Sequence, residues 1–143
     1  MTRLDRWIEA HARHTPDTEA IQFESRTWTY ADLAEQIARC ASTLHRLGVG
    51  TGDRVVWLGQ NHHELITLLF ACARLGAIVA PLNWRLSQHE MQFVLDDATP
   101  SLLVADGTLG ERADGLATAN PALPRHDVEQ NGWDTDAVEL PAL

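Results

Sequence analysis

A chain of 143 residues, 45% of them hydrophobic, is long enough to close one core and too apolar to be intrinsically disordered. Its formal charge of −9, from 11 Lys and Arg against 20 Asp and Glu, weighs against nucleic acid or an anionic membrane surface as a partner. Met1-Thr2-Arg3-Leu4-Asp5-Arg6-Trp7 lacks the apolar run of a signal peptide. No stretch approaches the roughly 20 apolar residues of a spanning helix, so a cytoplasmic chain with no membrane span is expected.

Leu4, Trp7 and Ile8 recur at helical spacing until Thr15-Pro16-Asp17, where proline removes a backbone donor and ends the pattern. Ala20 to Glu24 and Arg26 to Trp28 alternate as strands do, with Glu24-Ser25 as the turn of a hairpin. Thr29 and Asp32 stand three residues apart, the spacing of a capping box, and open a helix whose apolar face is Leu33, Ile37, Cys40, Leu44 and Leu47. Gly48 is placed to close it in the left-handed conformation.

After the turn Gly50-Thr51-Gly52-Asp53, the run Arg54-Val55-Val56-Trp57-Leu58 has the length and apolarity of a strand covered on both faces. Asn61 and Glu64 then supply a helix start and Gly76 its stop. Ala77 to Pro81 predicts another short buried strand, Ser87 and Glu90 cap a helix that turns Met91, Val94 and Leu95 inward, and Leu102 to Ala105 predicts one more strand. Such alternation of short apolar strands with helices is the pattern of βαβ crossovers. The fold class is therefore α/β, a mostly parallel sheet flanked by helices. Residues 1–106 form the folded subdomain in this reading. Residues 107–143 hold three of the six prolines, Pro121, Pro124 and Pro141, and read as a short helix near Leu109 to Ala117 followed by an irregular acidic tail.

Chemistry is hard to find. His11 with His14, and His62 with His63 and Glu64, are the local clusters that a metal could use, but neither has the ligand set, and capping or surface roles are expected, with no metal. The glycine-rich segment Gly48 to Asp53 follows a helix and precedes a strand, the reverse of a phosphate loop, and Asp53 would repel an anion. Cys40 and Cys72 lie in predicted helices without a partner base, as buried free thiols that suit a reducing compartment. Trp7, Trp28, Trp57 and Trp84 fall in or beside predicted elements and suit packing. Trp133, in the tail, has no such account and is read as incidental exposure or as an anchor on a partner surface or further domain. No catalytic residue emerges from spacing alone.

Three strings in order, Trp28-Thr29-Tyr30-Ala31-Asp32-Leu33, Leu44-His45-Arg46-Leu47-Gly48-Val49-Gly50-Thr51-Gly52-Asp53-Arg54-Val55 and Leu75-Gly76-Ala77-Ile78-Val79-Ala80-Pro81-Leu82-Asn83, resemble the adenylate-forming, AMP-binding superfamily. The resemblance covers roughly residues 4 to 105. Asn83-Trp84-Arg85-Leu86 resembles the acyl-CoA ligase branch more than the peptide-synthetase branch, where an acidic residue is usual at the Asn83 position.

The resemblance implies a parent enzyme that joins a carboxylic acid to CoA through an acyl-adenylate, using ATP, Mg²⁺ and CoA. In such a parent the Ser/Thr/Gly-rich phosphate loop follows the region of Val138-Glu139-Leu140. This chain is thus expected to be an N-terminal piece, inactive alone and binding none of those cofactors itself. Its partner would be the rest of the ligase or another copy of itself. In some members basic residues after the strand matching Leu102 to Ala105 approach the CoA phosphates, which singles out Arg112; a solvated arginine on a short helix is the plainer reading. The alternatives are a non-catalytic interaction or dimerisation module, and the N-terminus of a peptide-synthetase adenylation domain.

Overall fold

A computed structural model describes residues 4–134, 136 and 140, so the readings of Met1 to Arg3, of Val138 and Glu139 and of Pro141 lie outside the described residues. The chain runs α1 (Asp5–His14), β1 (Glu19–Phe23), β2 (Arg26–Thr29), α2 (Tyr30–Arg46), β3 (Arg54–Leu58), α3 (His63–Leu75), β4 (Ile78–Leu82), α4 (Gln88–Ala98), β5 (Leu102–Ala105), a 3₁₀ turn (Gly107–Leu109), α5 (Gly110–Ala119), β6 (Arg125–Asp127) and α6 (Val128–Asn131).

Strands β4-β3-β5-β6 form one parallel sheet in that order, and β1 and β2 pair antiparallel as a separate hairpin. The period-two geometry of strands explains why β3 and β5 are apolar throughout. Val55, Trp57, Leu102 and Val104 face α1, α2 and α3 in one core, while Val56, Leu58, Leu103 and Ala105 face α4 and α5 in another. Each strand thus seals two layers at once.

The local signals for helix ends hold. Thr29 and Ser87 both form complete capping boxes, with Asp32 and Glu90 returning bonds to the N-cap amides. Gly48 and Gly76 take positive φ of 87° and 70° after α2 and α3, a region in which a β-carbon is strained. Two expectations shift. Helix α3 is capped by His62, whose Nδ1 accepts the Glu64 amide at 3.3 Å, rather than by Asn61. Strand β4 is an edge strand, bonded to β3 alone, and Ile78 is 54% exposed where a buried strand was predicted. Pro81 fits that edge because it has no donor to offer a further neighbour.

The largest departure concerns the residues after α5. Arg125–Asp127 form β6 and pair with β5 as Leu103↔Arg125, Val104↔His126 and Ala105↔Asp127. The segment read as an irregular tail therefore contributes the fourth strand. Its sequence, Arg-His-Asp, is polar because Arg125 bonds Asp127 and Asp114, while His126 is buried and bonded through Nε2 to the Gly132 carbonyl oxygen at 2.8 Å.

Candidate functional site

In an open parallel sheet, ligands sit outside the carboxyl ends of the strands where the chain's winding reverses. Here that point lies between β3 and β5, since β3 continues outward to β4 on one side while β5 and β6 extend the other. Its residues are Gly59 and Gln60 after β3 and Asp106, Gly107 and Thr108 after β5.

Asp106 is buried, 1% exposed, and closes the crevice. Its carboxylate accepts the Gln60 amide at 2.7 Å, the Thr108 amide at 2.9 Å and the Thr108 hydroxyl. The Thr108 amide lies in the 3₁₀ turn that Asp106 caps, and the Gln60 amide lies in the loop between β3 and α3. Gly59 has no room for a side chain, since a β-carbon there would lie 2.5 Å from the Trp57 ring and 2.6 Å from Asp106 Oδ2. Glu129 of α6 takes the next donor, the Gly107 amide. The crevice is thus filled by the protein's own acids.

That arrangement does not fit a nucleotide triphosphate. The amides that could cradle phosphate oxygens already bond to Asp106 and Glu129, and two carboxylates would face the anion. Asp106 has no sequence signature, since an aspartate after a strand is common and its partner Gln60 lies 46 positions away.

Arg112, the residue singled out for CoA phosphate, sits at this same end of the sheet in the first turn of α5. Its Nη1 donates to the Leu86 carbonyl oxygen at 2.6 Å, tying α5 to the loop after β4. It borders a shallow groove with Gly107, Thr108, Glu111 and Asp114. The branch-marking residues shape that same loop: Asn83 Oδ1 accepts the Arg85 amide at 3.1 Å, and the Arg85 guanidinium lies 4.8 Å from the Trp84 ring centroid. Asn83 is a turn former, a role an aspartate also performs.

His11, His62 and His63 pack against aromatic rings, whereas His14 is exposed. His11 accepts from Trp7 Nε1 at 3.1 Å and stacks on Tyr30, with ring centroids 4.6 Å apart. His62 and His63 pack against Phe23 and Trp28 of the hairpin. Burial, then the neighbouring His62 and the Arg26 guanidinium, lowers the His63 pKa to about 4. Among the described residues no three His, Cys, Asp or Glu side chains gather as a metal site. Burial pushes the Cys72 thiol up to about 12 and Cys40 well above its ordinary value, so both stay protonated and unreactive. Trp133 docks within the chain, its Nε1 donating to Glu64 Oε2 at 2.6 Å and its ring stacked 5.0 Å from His126. Gly48 to Asp53 is a turn, with Asp53 Oδ2 accepting the Gly50 amide at 2.8 Å.

Among the described residues no helix is long and apolar enough to cross a membrane. The chain is 40% identical over 132 residues to the indoleacetate–CoA ligase of Aromatoleum aromaticum, a match that takes in 91% of this chain and 26% of that protein. The fold superposes on O-succinylbenzoate coenzyme A synthetase (MenE) from Bacillus subtilis, solved in complex with AMP, with a TM-score of 0.79 and 29% identity over 94% of this chain and 34% of that one. It also superposes on a Mycobacterium tuberculosis fatty acyl CoA synthetase, with a TM-score of 0.78 and 30% identity over 87% of this chain and 26% of that one. The chain spans about a quarter of the length of the curated relatives it matches. The sequence model of the AMP-binding enzymes matches residues 8–141, so the chain belongs to the AMP-binding enzyme family.

Proposed function

We propose that this chain is the scaffold-bearing N-terminal piece of a cytoplasmic, ATP-dependent acyl-CoA ligase, a protein that converts a carboxylic acid, ATP and CoA to an acyl-CoA through an acyl-adenylate. The observation that carries the reading is the 40% identity to a CoA ligase across 91% of the chain. The Asn83 to Leu86 loop agrees with that branch. ATP, Mg²⁺ and CoA belong to the whole ligase in this reading, and the rest of the ligase is the partner of this piece. The crevice between β3 and β5, closed by Asp106 and Glu129, argues for a supporting role here, and no chemical step is assigned to these residues.

The test is pyrophosphate release from ATP and Mg²⁺ with CoA and a panel of arylacetic, hydroxycinnamic and fatty acids. The 143-residue chain should give none, whereas a ligase that contains it should turn over at least one class. Turnover by the chain alone would overturn the scaffold reading. Within that ligase Arg112 is proposed to approach the CoA phosphates with the guanidinium nitrogens that Leu86 does not engage. Arg112→Ala should then raise the KM for CoA several-fold while leaving adenylate formation unchanged; an unaltered KM removes the assignment.

A further inference from the structure

Two segments far apart in sequence rest on one turn of helix, the first turn of α3. From one side comes the β1–β2 hairpin. Trp28 stacks on the His63 ring with centroids 4.2 Å apart, while Phe23 meets His62 at 4.8 Å and His63 at 5.4 Å. From the other side comes the segment after β6, with Trp133 bonded to Glu64 and the Asp134 amide donating to Thr43 Oγ1 at 2.9 Å. The hairpin shares no strand pairing with the parallel sheet, and Trp28 is the one buried residue of its two strands. Ala20 and Ile21 pack the hairpin against the core beside α2, and the two imidazoles hold its other side at the first turn of α3.

We propose that the first turn of α3 is a proton-operated clasp, in which protonation of His63 releases the β1–β2 hairpin while the parallel sheet stays folded. The groups that face His63 set the direction. On its own helix stand His62 and Glu64, the latter with Oε1 3.8 Å from His63 Nδ1; from β2 comes Arg26, its guanidinium 4.8 Å from the Trp28 ring centroid; behind Glu64 lies Glu129 of α6. Glu64 is the nearest countercharge. Burial raises its carboxyl above the ordinary value, an effect that the Trp133 bond partly offsets. A His63 cation would lose hydration and meet the Arg26 guanidinium as a like charge.

With the hairpin docked, His63 stays neutral down to about pH 4, whereas a released His63 recovers the ordinary value of 6.5. The released form therefore binds the extra proton between these two values. Docking is fully favoured above pH 6.5 and weakens as pH falls toward 4. The effect is smaller than the bare shift implies because the His63 side chain, 18% exposed, keeps some contact with water.

Amide hydrogen exchange on the 143-residue chain at pH 7 and pH 4.5 tests this. Protection factors at residues 21–28 should fall on the order of tenfold at the lower pH, while those at residues 54–58 stay level. In His63→Phe, which keeps a ring for Trp28 but cannot take a proton, the loss should vanish. An NMR titration of the His63 imidazole in the unaltered chain decides the matter even if that variant does not fold, since its midpoint should lie well below 6.5 and track the hairpin amides. Equal loss in His63→Phe, simultaneous loss at β3, or a His63 midpoint at its ordinary value would each overturn the proposal.

Discussion

The two ends of the parallel sheet are closed by opposite charges, and the contrast explains how the layers are held. At the amino end, Arg54 of β3 donates to the Ala98 carbonyl at 2.8 Å, the Gly52 carbonyl at 3.0 Å, and the Thr99 carbonyl and hydroxyl at 2.9 and 2.7 Å. Ala98 and Thr99 are the end of α4, where carbonyl oxygens lack helical partners and the helix dipole is negative. At the carboxyl end, Asp106 collects the amide of Gln60 in the loop after β3 and that of Thr108 in the 3₁₀ turn. A cation closes one end and an anion the other. The chain direction contributes to this contrast, since α3, α4 and α5 each carry the chain back from the carboxyl end of one parallel strand to the amino end of the next.

The two caps differ in burial, and that difference orders their importance. Asp106 is buried, so Asp106→Ala removes the acceptor of two backbone amides and leaves a void beneath them. A loss of about 3 kcal/mol in denaturant unfolding is expected. Next comes Gly59→Ala, which drives a β-carbon into Trp57 and Asp106 and should cost about 2 kcal/mol, with tryptophan fluorescence reporting the displaced ring. Arg54→Met, at the partly solvated amino end, keeps the aliphatic stem and frees carbonyls that water can reach, so about 1 kcal/mol is expected by the same measurement. Thr29→Ala removes a cap remote from both ends and should cost about 1 kcal/mol or less, visible as fraying of the first turn of α2 by amide exchange. An Arg54 variant that lost more than the Asp106 variant would reverse the comparison.

What could be seen in the sequence follows the same division between local and distant. Thr29 with Asp32, Ser87 with Glu90, and Gly48 and Gly76 were readable because a cap is satisfied within three or four residues of itself. β3 and β5 were readable because burial on both faces leaves an unbroken apolar run. β6 was not, because its three residues carry no apolar pattern and become a strand only by pairing with β5 from beyond α5. Strand β4 was found, but its place at the edge depends on which neighbours the sheet supplies. At the site, Arg112 was named from resemblance and lies at the carboxyl end of the sheet, yet its bond to Leu86 joins residues 26 positions apart and has no sequence signature. Asp106 is hidden for the same reason, its bond to Gln60 spanning 46 positions. Trp133 reads from the sequence as either incidental exposure or an outside anchor, because Glu64, its acceptor, is 69 positions away.

At the carboxyl end of this sheet Asp106 and Glu129 already hold the backbone amides that nucleotide phosphates would need. Titration calorimetry of Mg·ATP into the 143-residue chain is the sharpest probe of that occupancy. No saturable heat is expected at millimolar nucleotide. Saturable binding that Asp106→Asn or Glu129→Gln altered would contradict it, because it would place phosphate among the donors those acids are seen to occupy.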